Sequence, residues 1–119
     1  MSSGALRIPL FPLSGAILFP RSQLPLHIFE PRYRTMVQDA AGSGGLIGMI
    51  QPQGSEDELQ HPSLFRIGCV GEIVGMEELE DGRFNIVLQG THRFRLIAEA
   101  DVGTPYRQAD VDPHALDDS

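Results

Sequence analysis

Nine prolines and thirteen glycines cut this 119-residue chain into short pieces, and that punctuation decides what it can fold into. Both residue types disfavour helix interiors, so long helices are excluded and short extended segments joined by turns are favoured. One stretch escapes the rule. Pro31 is suited to a first helical position, where its missing N–H costs nothing. Tyr33, Met36, Val37 and Ala40 then fall at i, i+3, i+4 and i+7 with Gly42 beyond them, which predicts a helix over residues 31–41.

The remaining segments read as strand and turn. Arg7–Phe11 is short and apolar, and Pro9 and Pro12 confine it to a sheet edge or a bulged pairing. Gln23–Phe29 alternates, with Leu24, Leu26 and Ile28 on one face. Leu46–Gln51 is continuously apolar, as suits a strand covered on both faces. Gln53–Ser63 is a polar loop in which Glu56, Asp57 and Glu58 face water. Phe65–Met76 and Arg83–Ala98 form a long hairpin whose Asp81–Gly82 signals a type I′ turn, and Gly90 marks a bulge or barrel corner. The acidic tail Asp110–Ser119 is expected to fray. The fold class is therefore mainly β with one α-helix (α+β): a single domain over residues 1–119, a partly closed barrel with the helix plugging one end.

Composition narrows the chemistry. All nine basic residues are arginine, so no lysine is present for a phosphate-binding loop, a Ser–Lys dyad or a Schiff base. A net charge of −7 disfavours nucleic acid and anionic membrane surfaces. Cys69 stands alone, which excludes an intrachain disulfide. No apolar run approaches ~18 residues, and Met1–Arg7 lacks a signal-peptide pattern, so the cytoplasm is the expected setting.

Two blocks carry a family resemblance. Ile8-Pro-Leu-Phe-Pro-Leu, Leu18-Phe-Pro and Leu24-Pro-Leu-His-Ile-Phe-Glu-Pro-Arg-Tyr-Arg34 form the first. Gly68-Cys-Val-Gly-Glu-Ile and Asp81-Gly-Arg-Phe-Asn-Ile-Val-Leu-Gln-Gly-Thr-His-Arg-Phe-Arg95 form the second. In this order around a helix they resemble the amino-terminal domain of Lon proteases, from about Arg7 to about Asp110. The resemblance implies a PUA-like pseudo-barrel that recognises protein substrates without cleaving them, of the type also found in cereblon and in free-standing bacterial proteins lacking ATPase and protease. Family domains continue into a helical portion after the barrel, so this chain reads as a minimal or truncated version.

Each candidate residue has a structural and a functional reading. Glu30, Arg32 and Tyr33 are expected to be architectural, with the Glu30 carboxylate at the positive helix end, Tyr33 in the buried stripe and an arginine paired with Glu30 or Glu72. Arg93 and Arg95 share a strand face, either solvated beside Glu77, Glu78 or Glu99, or contacting RNA as some PUA-like folds do; the acidic balance favours the first. His27, His61, His92 and Cys69 lack the paired spacing of a zinc site, so no metal or cofactor is expected, and Cys69 reads as a buried hydrophobe. No nucleophile signature appears, so catalysis is not expected. The apolar loop holding Ala16, Ile17, Leu18 and Phe19 between Pro12 and Pro20 either caps the barrel or presents a contact patch, with Met49 and Met76 adding adaptable surface.

The resulting expectation is a non-catalytic domain that binds extended or unfolded polypeptide. Ile17, Leu18, Phe19 and Leu24 would form an apolar groove, and an open strand edge would add backbone hydrogen bonds. The alternative is a PUA-like RNA-binding module. A small-molecule pocket has little support in a chain without tryptophan, and homo-oligomerisation stays open.

Overall fold

A computed structural model describes residues 5–53 and 63–114. The expected loop over Gln53–Ser63, including Glu56, Asp57, Glu58 and His61, therefore lies almost wholly outside the described residues, as do 115–119. In chain order the elements are β1 (Leu6–Pro12), β2 (Gln23–Ile28), α1 (Pro31–Ala41), β3 (Leu46–Pro52), β4 (Leu64–Glu78), β5 (Phe84–Glu99) and β6 (Gln108–Asp112). The sheet order is β2-β5-β4-β3-β1-β6, and β6 pairs back onto β5. That extra pairing closes β1, β3, β4, β5 and β6 into a ring, while β2 lies outside it on β5.

Two hydrophobic clusters sit on opposite faces of this sheet. One gathers Ile8, Leu10, Ile50, Leu64, Val70, Phe94, Leu96, Ala109 and Val111 inside the ring. The other packs the helix stripe Tyr33, Met36, Val37 and Ala40 against Phe11, Ile47, Met49, Cys69, Phe84, Ile86 and Leu88. β3 serves both, which is why its residues are apolar without alternation.

A bulge lets β5 do the same. Phe84, Ile86 and Leu88 face the helix cluster, whereas Phe94 and Leu96 face the ring interior, although all five are even-numbered. Gly71 pairs with Gly90 and Val70 with His92, so Thr91 is one residue too many. An extra residue exchanges the two faces of everything after it. The interruption expected at Gly90 is thus the device that hands one strand from one core to the other.

Three local expectations are corrected. β1 is not an edge strand: it lies between β3 and β6, pairing parallel to β3 through Leu10–Pro12 and antiparallel to β6 through Leu6–Pro9. Handing the strand from one partner to the other leaves one side of each proline without a strand neighbour. The hairpin turn is not type I′. Of Asp81 and Gly82 only Gly82 has positive φ (87°). Its N–H donates to the Leu79 carbonyl (3.0 Å) and the Leu79 N–H to that of Arg83 (2.8 Å). This is the pattern of a longer loop ending in a left-handed glycine. Finally, Asp110–Asp112 belong to β6. Ala109 and Val111 point into the core, and Asp110 receives the Arg7 guanidinium at 2.6 Å.

Candidate functional site

The loop between β1 and β2 is fixed from below at four points. Leu13 donates its N–H to the Ile50 carbonyl (3.1 Å), and the Gln51 side-chain amide donates to the Ala16 carbonyl (2.9 Å). Arg21 donates to the Gly90 carbonyl and Gly90 to the Ser22 carbonyl, both at 2.8 Å. Phe19-Pro20-Arg21-Ser22 forms a turn, closed by Ser22 N–H on the Phe19 carbonyl (3.1 Å), with Arg21 at φ 71°. Proline second and positive φ third is the type II arrangement, and an arginine stands where glycine is usual. The Ser22 hydroxyl ties the turn again, donating to the Phe19 carbonyl (2.7 Å) and accepting from its N–H (3.1 Å).

So held, the apolar loop divides its side chains. Leu18 is 5% exposed and packs into the helix-side cluster over Gly71 and Gly90. Ile17 and Phe19 on either side of it are 62% and 61% exposed. The loop thus splits residue by residue: Leu18 caps the core, and Ile17 and Phe19 face outward.

Beside them opens a cleft of about 160 Å³, lined by Ala16–Phe19, Met49–Gln51 of β3, Ile67–Cys69 of β4 and Arg93 of β5. Met49 pairs with Cys69 and Cys69 with Arg93, so these three form one row across three strands on one face. Cys69 is a buried small hydrophobe, 3% exposed. Burial pushes its thiol up to about 11, with an N–H from Thr91 and the positive charge of Arg93 acting weakly the other way. Arg95 pairs with Ile67 one step along the same face. The open sheet edge lies elsewhere. β2 has no second strand partner among the described residues, whereas Met49 and Cys69 are paired on both sides. No open strand edge therefore lies along the Met49–Cys69 floor of the cleft.

The other candidate residues are placed as follows. Leu24 is not in the cleft; it pairs with Leu88 and packs against the helix-side cluster. Glu30 is the residue before the helix and makes no side-chain cap; its carboxylate accepts from Arg32 Nε at 3.0 Å, and Glu72 takes no part in that pair. The Arg32 guanidinium lies 4.7 Å over the Tyr33 ring, which packs on Phe11 with centroids 4.4 Å apart. Arg34 Nη2 donates to the Asp81 carbonyl (3.2 Å), so the same segment grips the hairpin tip. His27 bonds Asn85 (2.8 Å), His92 stacks on His114, and Met76 is exposed on the hairpin away from the cleft. Gln51 and Ile67 were not singled out in the sequence. Their part depends on cross-strand register, which a single segment does not display.

The family model for the ATP-dependent protease La (Lon) substrate-binding domain matches residues 7–119. The chain belongs to this family. Among relatives, it is 34% identical over 91 residues to Lon protease of Parabacteroides distasonis, covering 75% of this chain and 11% of that protein. It is 30% identical over 107 residues to Lon protease 2 of Sorangium cellulosum, covering 88% and 13%. The chain thus spans only about an eighth of these Lon proteases. Two solved structures share the fold. The N-terminal domain of a Mycobacterium avium complex Lon protease superposes with TM-score 0.72 at 14% identity, covering 96% of this chain and 57% of that one. A Lon N-terminal domain protein from Xanthomonas campestris gives 0.70 at 26%, covering 94% and 63%. The Lon-type resemblance is borne out, and so is the fold class, β-rich with one helix among the described residues.

Proposed function

We propose that this domain binds polypeptide substrates without catalysis of its own, by taking apolar side chains of extended or unfolded segments into the cleft beside Ile17 and Phe19. The observation that carries the reading is two large hydrophobic side chains held more than half exposed on a loop that is itself hydrogen-bonded in place. A volume of about 160 Å³ suits one leucine- or phenyl-sized group. Burying one such group contributes roughly 1.5–3 kcal/mol, so single contacts are weak and affinity for a long unfolded chain comes from many interchangeable sites. That is the behaviour a substrate-recognition domain needs when its targets share exposed apolar residues and little else. In this reading the domain works in the cytoplasm and needs no metal or cofactor.

The test is fluorescence anisotropy of a labelled, permanently unfolded protein titrated with the domain and with its Phe19→Glu variant. The variant is expected to keep its fold and lose binding at least tenfold. Unchanged affinity removes the loop from the site.

A further inference from the structure

A second cavity opens beside the cleft, on the neighbouring strand. It holds about 110 Å³ and is lined by Phe11 and Leu13, by Leu26 and Phe29, and by Arg32 and Tyr33 at the start of the helix. Phe11 pairs with Met49, and Pro12, which also lines it, pairs with Ile50, so its wall stands strand to strand against the wall of the cleft. The Leu13 N–H on the Ile50 carbonyl (3.1 Å) closes the same seam. Phe11, Met49 and Cys69 all belong to the helix-side cluster, so both cavities draw on one face of the sheet. Each also carries a large side chain left in water: Phe19 in the cleft and Phe29, 59% exposed, in the second cavity.

The chemistry of this pocket selects an uncharged guest. The rings of Phe11 and Tyr33, with centroids 4.4 Å apart, form an aromatic wall that suits another ring. The charged groups at the rim are committed to each other: Glu30 accepts from Arg32 Nε at 3.0 Å, and the same guanidinium covers the Tyr33 ring. An incoming charge would have to break that pair and shed its own water, whereas a hydrocarbon group does neither.

Resting on the polypeptide reading above, we propose that this pocket is a second side-chain subsite. The domain takes two apolar residues of one extended segment at once, one in the cleft and one, preferably aromatic, between Phe11, Phe29 and Tyr33. The two sites lie roughly 10 Å apart, about two strand spacings, and an extended chain covers that in about three residues. The β1–β2 loop holds the spacing, because it gives Leu13 to one cavity and Ala16–Phe19 to the other. Two weak contacts carried on one chain reinforce each other without any new interaction.

Capped peptides in one Ser/Gln background test this by anisotropy; they carry a single Phe, two adjacent Phe, or two Phe three positions apart. The spaced pair is expected to bind roughly tenfold tighter than the single Phe, as tethering of a second weak contact allows, and the adjacent pair little better than the single. Phe29→Glu changes an exposed residue and should keep the parent melting curve. It should abolish the gain from spacing while the single-Phe peptide still binds; Phe29→Ser gives the same readout without adding a charge near the helix start. Equal binding of spaced and adjacent pairs, or a gain that survives both Phe29 variants, overturns this proposal and leaves the cleft standing. A gain that survives Phe19→Glu removes the cleft and the reading that rests on it. No binding by any peptide overturns both. A dimer in sedimentation that Phe29→Glu dissolves overturns the proposal in favour of a second copy of this chain.

Discussion

The carbonyl of Phe19 occupies the place where a Cβ on residue 90 would stand. The loop between β1 and β2 can therefore lie on the β5 bulge only because that position is glycine. A clash against backbone is not relieved by a rotamer change, so Gly90→Ala should cost about 1–3 kcal/mol and lift the loop, lowering polypeptide affinity as well. Chemical denaturation and a binding titration on the same variant check both parts.

Leu18 and its two neighbours should answer truncation in opposite ways. Leu18→Ala empties a buried site and is expected to cost about 2–5 kcal/mol of stability. Ile17→Ala and Phe19→Ala remove exposed side chains and should stay within about 0.5 kcal/mol while weakening binding. Melting curves set beside affinities for the three variants separate the anchor from the contacts.

The Tyr106 hydroxyl donates to the Asp39 carboxylate at 2.7 Å and ties the segment before β6 to the helix. Burial first, then the bond and the charge of Asp39, push the phenol up to about 12 from its ordinary 10. A proton held more tightly in the folded state stabilises it fully below pH 10. That contribution is lost as pH rises through 12. Tyr106→Phe should lower stability at neutral pH by about 1–2 kcal/mol and show less of this alkaline loss, measured by denaturant titration from pH 8 to 11.

Cys69 should resist alkylation in the native protein. Its thiol is 3% exposed and held up at about 11, so little thiolate exists at pH 8 and less of it is reachable. Mass spectrometry after iodoacetamide treatment is expected to show modification only under denaturing conditions. Rapid native labelling would mean that the cleft opens to its floor.

Elements set by local pattern were legible in the sequence. The spacing of Tyr33, Met36, Val37 and Ala40 defines α1 to the residue, because period and stripe are properties of a single segment. Gly90 likewise announces its bulge. Long-range pairing was not legible. Nothing in Arg7–Phe11 reveals that it runs parallel to β3, and the aspartates of Asp110–Asp112 hide the buried alternation of Ala109 and Val111. The cleft was half readable: Ile17 and Phe19 stand out as an apolar run between prolines. Ile67 and Arg93 join them only through a register that the Thr91 bulge shifts by one.

An amide NMR titration of the labelled domain with a permanently unfolded, apolar-rich polypeptide locates the binding surface residue by residue. Shifts are expected at Ala16–Phe19, Met49–Gln51, Ile67–Cys69 and Arg93, with the outer edge of β2 unmoved. Shifts confined to Gln23–Ile28, or to the hairpin around Met76, would contradict the cleft reading and place recognition on the open sheet edge.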